Sequence, residues 1–162
     1  MRDEVDDLVE AWARERSDLD LAPVEIFSRI SRLARHLDLA RREAFTAHAI
    51  EAWEFDVLAA LRRAGKPYQL SPGRLLRETL VTSGTMTNRV DRLAARGFVE
   101  RLADPADRRG VIVRLTPDGK RAVDGAFAAL LEAESALLTG LSDRDRTKLA
   151  ALLRPLLAPF AG

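Results

Sequence analysis

Small, polar and basic side chains gather in one stretch of the chain. Ser83, Thr85, Thr87, Asn88, Arg89 and Arg92 follow one another closely, and Arg108-Arg109 come shortly after. Short hydroxyl and amide groups permit close approach to a polar surface, and guanidinium groups seek phosphate. The charge balance agrees with this reading. Residues 1–61 carry 8 basic and 14 acidic side chains, residues 62–121 carry 14 and 6, and residues 122–162 carry 4 and 5. A basic middle between acidic and near-neutral flanks is the footprint of a chain that meets nucleic acid locally.

No catalytic constellation competes with that reading. Ser83-Gly84-Thr85 lacks the surroundings of a nucleophile elbow. There is no cysteine, and His36 and His48 are too far apart on one helix to share a metal. No metal or cofactor is expected, and an enzyme is disfavoured. No apolar run approaches the ~20 residues needed to cross a bilayer. The acidic start Met1-Arg2-Asp3-Glu4 has no apolar segment typical of a secretory signal. A soluble cytoplasmic protein is expected.

Apolar periodicity supplies the elements that must position these residues. Val5, Leu8, Val9 and Trp12 mark a helix ending near Arg16. Ile26, Ile30, Leu33, Ala34 and Leu37 mark a long helix from about Val24 to His48, with Pro23 placed as a first helical residue. Trp53, Phe55, Val57, Leu58 and Leu61 mark a third, from Glu51 to Ala64, stopped by Gly65. Ser71-Pro72 opens a short helix carrying Leu75, Leu76 and Leu80, and a turn follows near Val81-Thr82-Ser83. The next helix, about Ser83 to Arg96, has Met86, Val90 and Leu93 on its inner side and Gly97 as a left-handed cap.

Two alternating strands come next, Phe98–Leu102 and Val111–Leu115, joined by a polar tip over Ala103–Gly110. Thr116-Pro117 opens a long helix through Leu137 and Leu138. Ser142-Asp143 opens a last helix bearing Leu149, Leu152, Leu153, Leu156 and Leu157, with a kink expected at Pro155 and an end at Pro159.

Short helix, turn, polar helix and hairpin in that order form a winged helix-turn-helix. The helix over Ser83–Arg96 would enter the major groove. Arg108 and Arg109 at the wing tip would reach an adjacent minor groove, with Asp107 orienting the guanidinium of Arg109. The fold class expected is mainly α with a small β-wing. Residues 51–116 would form the DNA-binding region. Residues 1–50 and 117–162 would form a helical dimerisation region, because the leucine-rich final helix is too apolar for a lone terminal helix. A two-fold dimer would place two reading helices about one DNA turn apart on a pseudo-palindrome.

The tip Asp107-Arg108-Arg109-Gly110, with Val113-Arg114-Leu115-Thr116-Pro117-Asp118-Gly119 after it, resembles the MarR family of bacterial transcription regulators. The helix order extends that resemblance over essentially the whole chain. The resemblance implies a homodimer with helices from both termini in its interface, and repression relieved by a small ligand.

A narrower resemblance, to the urate-responsive MarR subfamily, rests on four positions. They are Trp12 on an extra N-terminal helix, Asp56 in the helix before the winged motif, Arg89 in the reading helix and Arg101 on the first wing strand. It implies that these residues bind the ligand. The chemistry is coherent: a flat anionic heterocycle wants an aromatic face and guanidinium donors. Asp56 would pair with an arginine until the anion competes for it. The rival expectations are another aromatic or carboxylate ligand, and an architectural DNA-binding protein with no effector.

Overall fold

The computed structural model describes residues 2–79, 82–105 and 107–160, with the side chains of 107–109 outside the description. The expected Leu80 contact and the Val81 turn position fall outside it. The chain divides into two compact units, Met1–Arg41 and Arg42–Gly162.

In the first unit lie α1 (Glu4–Glu15) and most of α2 (Ala22–Thr46). Asp3 caps α1, accepting from the Val5 and Asp6 N–H groups at 2.9 and 3.2 Å. The Arg29 guanidinium of α2 donates to Asp3 and Asp6, and Arg32 donates to Glu4 at 2.6 Å. These pairs are solvent-exposed and screened by water and salt, so they orient α1 more than they stabilise it. Helix α2 starts at Ala22, two residues before the expected Val24, because Asp20 accepts from the Ala22 N–H at 3.0 Å. Pro23 is therefore its second residue.

Helix α2 ends at Thr46, short of His48. A turn through Ala49, at φ 53°, brings the Ile50 N–H back to the Phe45 carbonyl. In the second unit, α3 (Ala52–Arg63) is central: Phe55, Val57, Leu58, Ala59, Ala60 and Leu61 are all buried. Full burial of each Leu or Val contributes about 1.5–3 kcal/mol. Helix α3 packs on α4 (Pro72–Thr79) and α6 (Pro117–Leu137), and α4 packs on α5 (Ser83–Ala95).

The wing strands are β2 (Val99–Asp104) and β3 (Asp107–Leu115). They extend further than expected: the register runs from Val99↔Leu115 to Asp104↔Asp107, so pairing enters the expected eight-residue tip, with a bulge at Ala103/Asp104. A third strand, β1 (Gln69–Leu70), pairs antiparallel with β3 and gives the sheet order β1-β3-β2. Its two residues carry no periodic signal, and partnership with β3 defines it. Gly97 ends α5 at φ 72°, with the Phe98 N–H returning to the Leu93 carbonyl.

Thr116 caps α6 by accepting from the Gly119 N–H at 3.0 Å. Helix α7 (Asp143–Leu157) runs on through Pro155, and Pro159 sits in a short 3₁₀ turn (Ala158–Phe160). None of the residues of α7 is buried within the chain. The fold is mainly helical with a small antiparallel sheet, as the sequence suggests. Among the described residues no helix is long and apolar enough to cross a membrane.

Candidate nucleic-acid interface

Helix α5 owes its pose to Met86, Val90 and Leu93, which are buried at one to two turns' spacing. Its opposite side is turned outward. Ser83, Thr85, Thr87 and Asn88 are all exposed on its first two turns. No acidic residue stands in the first turn, and the cap residue Thr82 makes no side-chain bond to the backbone. Its hydroxyl pairs instead with that of Thr85 at 2.9 Å. Among the described residues no side chain caps the leading N–H groups of α5, which carry the positive end of the helix dipole.

One flank of α5 rests on Trp53 of α3. The Arg92 guanidinium lies 4.5 Å from the indole centre and that of Arg89 lies 5.6 Å away. Glu51 completes the group: it accepts from Trp53 Nε1 at 2.7 Å and from Arg92 Nη2 at 3.1 Å. Between Trp53 and Gly84, Thr85, Asn88, Arg89 and Arg92 lies an open hollow of about 450 Å³. The other flank of α5 faces the wing. There Arg101 pairs with Asp91 at 2.8 Å.

Of the four expected ligand residues, Trp12 belongs to the first unit and Asp56, Arg89 and Arg101 to the second. Arg89 and Arg101 occupy opposite flanks of α5 and do not meet within the chain. Asp56 is exposed one turn beyond Trp53 on α3 and has no ion-pair or hydrogen-bond partner among the described residues. The expected resting pair of Asp56 with an arginine is not present among the described residues, and Arg89 lies over Trp53. Trp12 is 49% exposed on α1. The side chains of Arg108, Arg109 and Asp107, expected at the wing tip, lie outside the described residues.

Four residues that sequence reasoning passed over organise this region. Trp53 reads as part of an apolar stripe, and only its partnership with two arginines marks it out. Glu51 reads as a helix start. Glu54 is buried and meets Arg96, a pairing across 42 positions that leaves no local trace.

The profile of the MarR family matches residues 50–110, which span α3 to the wing. Over 150 residues, 93% of this chain and 90% of the relative, the sequence is 36% identical to the HTH-type transcriptional regulator PecS of Dickeya dadantii. The chain belongs to the MarR family. Among solved structures it resembles Escherichia coli MarR in complex with operator DNA, at 28% identity and TM-score 0.70, over 85% of this chain and 96% of that one. It also resembles Bordetella bronchiseptica BpsR, a protein whose DNA binding is regulated by 6-hydroxynicotinic acid. That match has 29% identity and TM-score 0.65 over 81% of this chain and 91% of that one. This MarR-family protein is a DNA-binding transcriptional regulator and not an enzyme. Its helix-turn-helix is formed by α4 and α5, and its wing by β2 and β3.

Proposed function

We propose that this regulator is a homodimeric repressor that reads a pseudo-palindromic operator and is released by urate or a similar flat anion. The observation that carries the DNA-reading part is the exposed polar start of α5. Ser83, Thr85, Thr87 and Asn88 lie outward there while Met86, Val90 and Leu93 anchor the helix. Arg89 and Arg92 add positive charge beside them, and Arg108 and Arg109 extend the contact from the wing.

The dimer is supported by apolar faces that the single chain leaves uncovered. Ile26, Phe27 and Leu33 of α2 are 53%, 55% and 44% exposed, and Leu152 and Leu157 of α7 are 60% and 67% exposed. A second copy of the chain would bury them, with residues 1–50 and 117–162 as the dimerisation region. A regulator of this kind acts on DNA in the cytoplasm.

The effector reading rests on Trp12, Asp56, Arg89 and Arg101. Urate at physiological pH is a planar monoanion, so it needs a stacking surface and a cation. An anion that competes for the Arg89 guanidinium draws it from Trp53 and disturbs α5, which couples ligand to DNA. Asp56, one turn from Trp53 and unpaired, opposes such an anion. A second reading, an aromatic carboxylate, is favoured by the likeness to BpsR, whose regulator is 6-hydroxynicotinic acid.

Titration of both compounds into the protein–operator complex tests the effector. Urate is expected to release DNA and quench Trp fluorescence. Arg101→Ala is expected to keep DNA binding while losing roughly 10- to 150-fold in urate potency, as for one charged contact of about 1.5–3 kcal/mol. Release by 6-hydroxynicotinic acid alone selects the second reading. No response to either at millimolar concentration removes both.

A further inference from the structure

Glu54 is the one buried charged residue among the described residues, 1% exposed. A lone carboxylate taken out of water must find partners. It has two: the Glu51 N–H donates to its Oε2 at 3.0 Å, and Arg96 Nη1 donates to the same oxygen. The other arm of the Arg96 fork donates to the Ala49 carbonyl at 2.6 Å. Ala49 sits at φ 53°, a left-handed conformation that a residue with a Cβ keeps only when its surroundings hold it. The guanidinium also lies 4.5 Å over the Phe98 ring. The Phe98 carbonyl in turn accepts from the Thr116 N–H at 3.1 Å, where α6 begins.

Arg96 caps the C-terminal end of α5. One planar, rigid group thus ties the end of the reading helix to the turn after α2, to the start of α3 and to the entry of the wing. Among the described residues the N-terminal end of α5 has no such knot, and it is the end that carries Ser83, Thr85, Thr87 and Asn88. Met86, Val90 and Leu93 seat α5, and this joint fixes its C-terminal end.

We infer that the Glu54–Arg96 pair is a positioning joint for the reading helix, so that operator specificity depends on two residues that read no base. This rests on the reading of α5 as the DNA-reading element. Charge and position act here with opposite signs. Glu54→Gln removes a negative charge from a DNA-binding region, so a purely electrostatic effect leaves DNA binding equal or tighter. A positioning role loosens it, and only on the specific site. Arg96→Lys keeps the positive charge and loses the fork.

The test measures affinity for the selected operator and for a random duplex at one salt concentration, on the full-length protein. Glu54→Gln and Arg96→Lys are each expected to weaken operator binding roughly tenfold or more, about the effect of one mismatched base pair. Random-duplex affinity is expected to stay unchanged or, for Glu54→Gln, to rise. The double variant Glu54→Met with Arg96→Met removes both charges, which restores packing without restoring the fork. It is expected to fold and still to lose operator preference, and it decides the matter if Glu54→Gln fails to fold. Wild-type operator preference in Arg96→Lys and in the double variant overturns the joint. A wild-type protein with no operator preference overturns the DNA-reading assignment instead.

Discussion

The Arg92 guanidinium stacks 4.5 Å from the centre of the Trp53 ring and is held there by Glu51, which also accepts from the indole N–H. Arg89 uses the same ring at 5.6 Å. Trp53 is thus a platform on α3 that fixes two cations of α5 beside its exposed polar face. Each cation–π contact at a solvent-accessible site contributes about 0.5–1 kcal/mol. Trp53→Ala is therefore expected to weaken operator binding roughly five- to thirtyfold. Trp53→Phe, which keeps an aromatic face, is expected to lose less. Fluorescence anisotropy with a labelled duplex reads both, and unchanged affinity in Trp53→Ala would detach the platform from DNA binding.

Gly119 is where α6 meets the wing. A Cβ at that position would lie 2.0 Å from the Phe98 carbonyl oxygen and 2.9 Å from its carbon. Backbone cannot yield as a side chain does, so Gly119→Ala must displace either the cap of α6 or the entry to β2. The expected cost is about 1–3 kcal/mol of folding stability. Urea denaturation is expected to show a lower midpoint at an unchanged slope.

Hydrogen bonding from the Arg29 guanidinium holds the Asp3 carboxyl at about 2, below its usual 3.8. A carboxylate whose folded value is depressed favours the folded arrangement above the unfolded value. That contribution is lost as pH falls through the folded value. The attachment of α1 to α2 is therefore expected to loosen between about pH 4 and pH 2. Amide exchange over Glu4–Glu15 should accelerate, relative to intrinsic rates, across that window. In Asp3→Asn, which retains a capping side chain, this contribution to the pH dependence should disappear.

Leu152 and Leu156 lie one helical turn apart on α7 and are 60% and 45% exposed in the single chain. With both changed to Asp, the single chain loses no fully buried residue, while a dimer interface would receive two unpaired carboxylates on each side. Sedimentation is expected to show a folded monomer with weakened operator binding. A dimer of native affinity would place the interface elsewhere.

The inner face of α5 was legible from sequence because Met86, Val90 and Leu93 follow the helical period, and Gly97 and Thr116-Pro117 announce their caps through local chemistry. What escaped was non-local. The strand at Gln69–Leu70 exists through its pairing with Arg114 and Val113. The wing lengthens because backbone pairing between its strands continues as far as Asp104 and Asp107. Trp53 hid in an apolar stripe, since a sequence period does not reveal which aromatic edge a cation from another helix will cover. Glu54 and Arg96 reveal no pairing until α3 and α5 are packed. Arg89 and Arg101 sit on opposite flanks of α5, which only the placement of the wing strand decides.

Competition between a duplex selected by the protein from a random library and an unselected duplex, in moderate salt, tests the central claim most directly. The wild-type protein is expected to prefer the selected site by about 10³ or more. Asn88→Ala is expected to erode that preference while leaving unselected binding in place. Equal affinity for both duplexes, or a preference untouched by Asn88→Ala, Thr85→Ala and Thr87→Ala together, would contradict the assignment of α5 as the element that reads the operator.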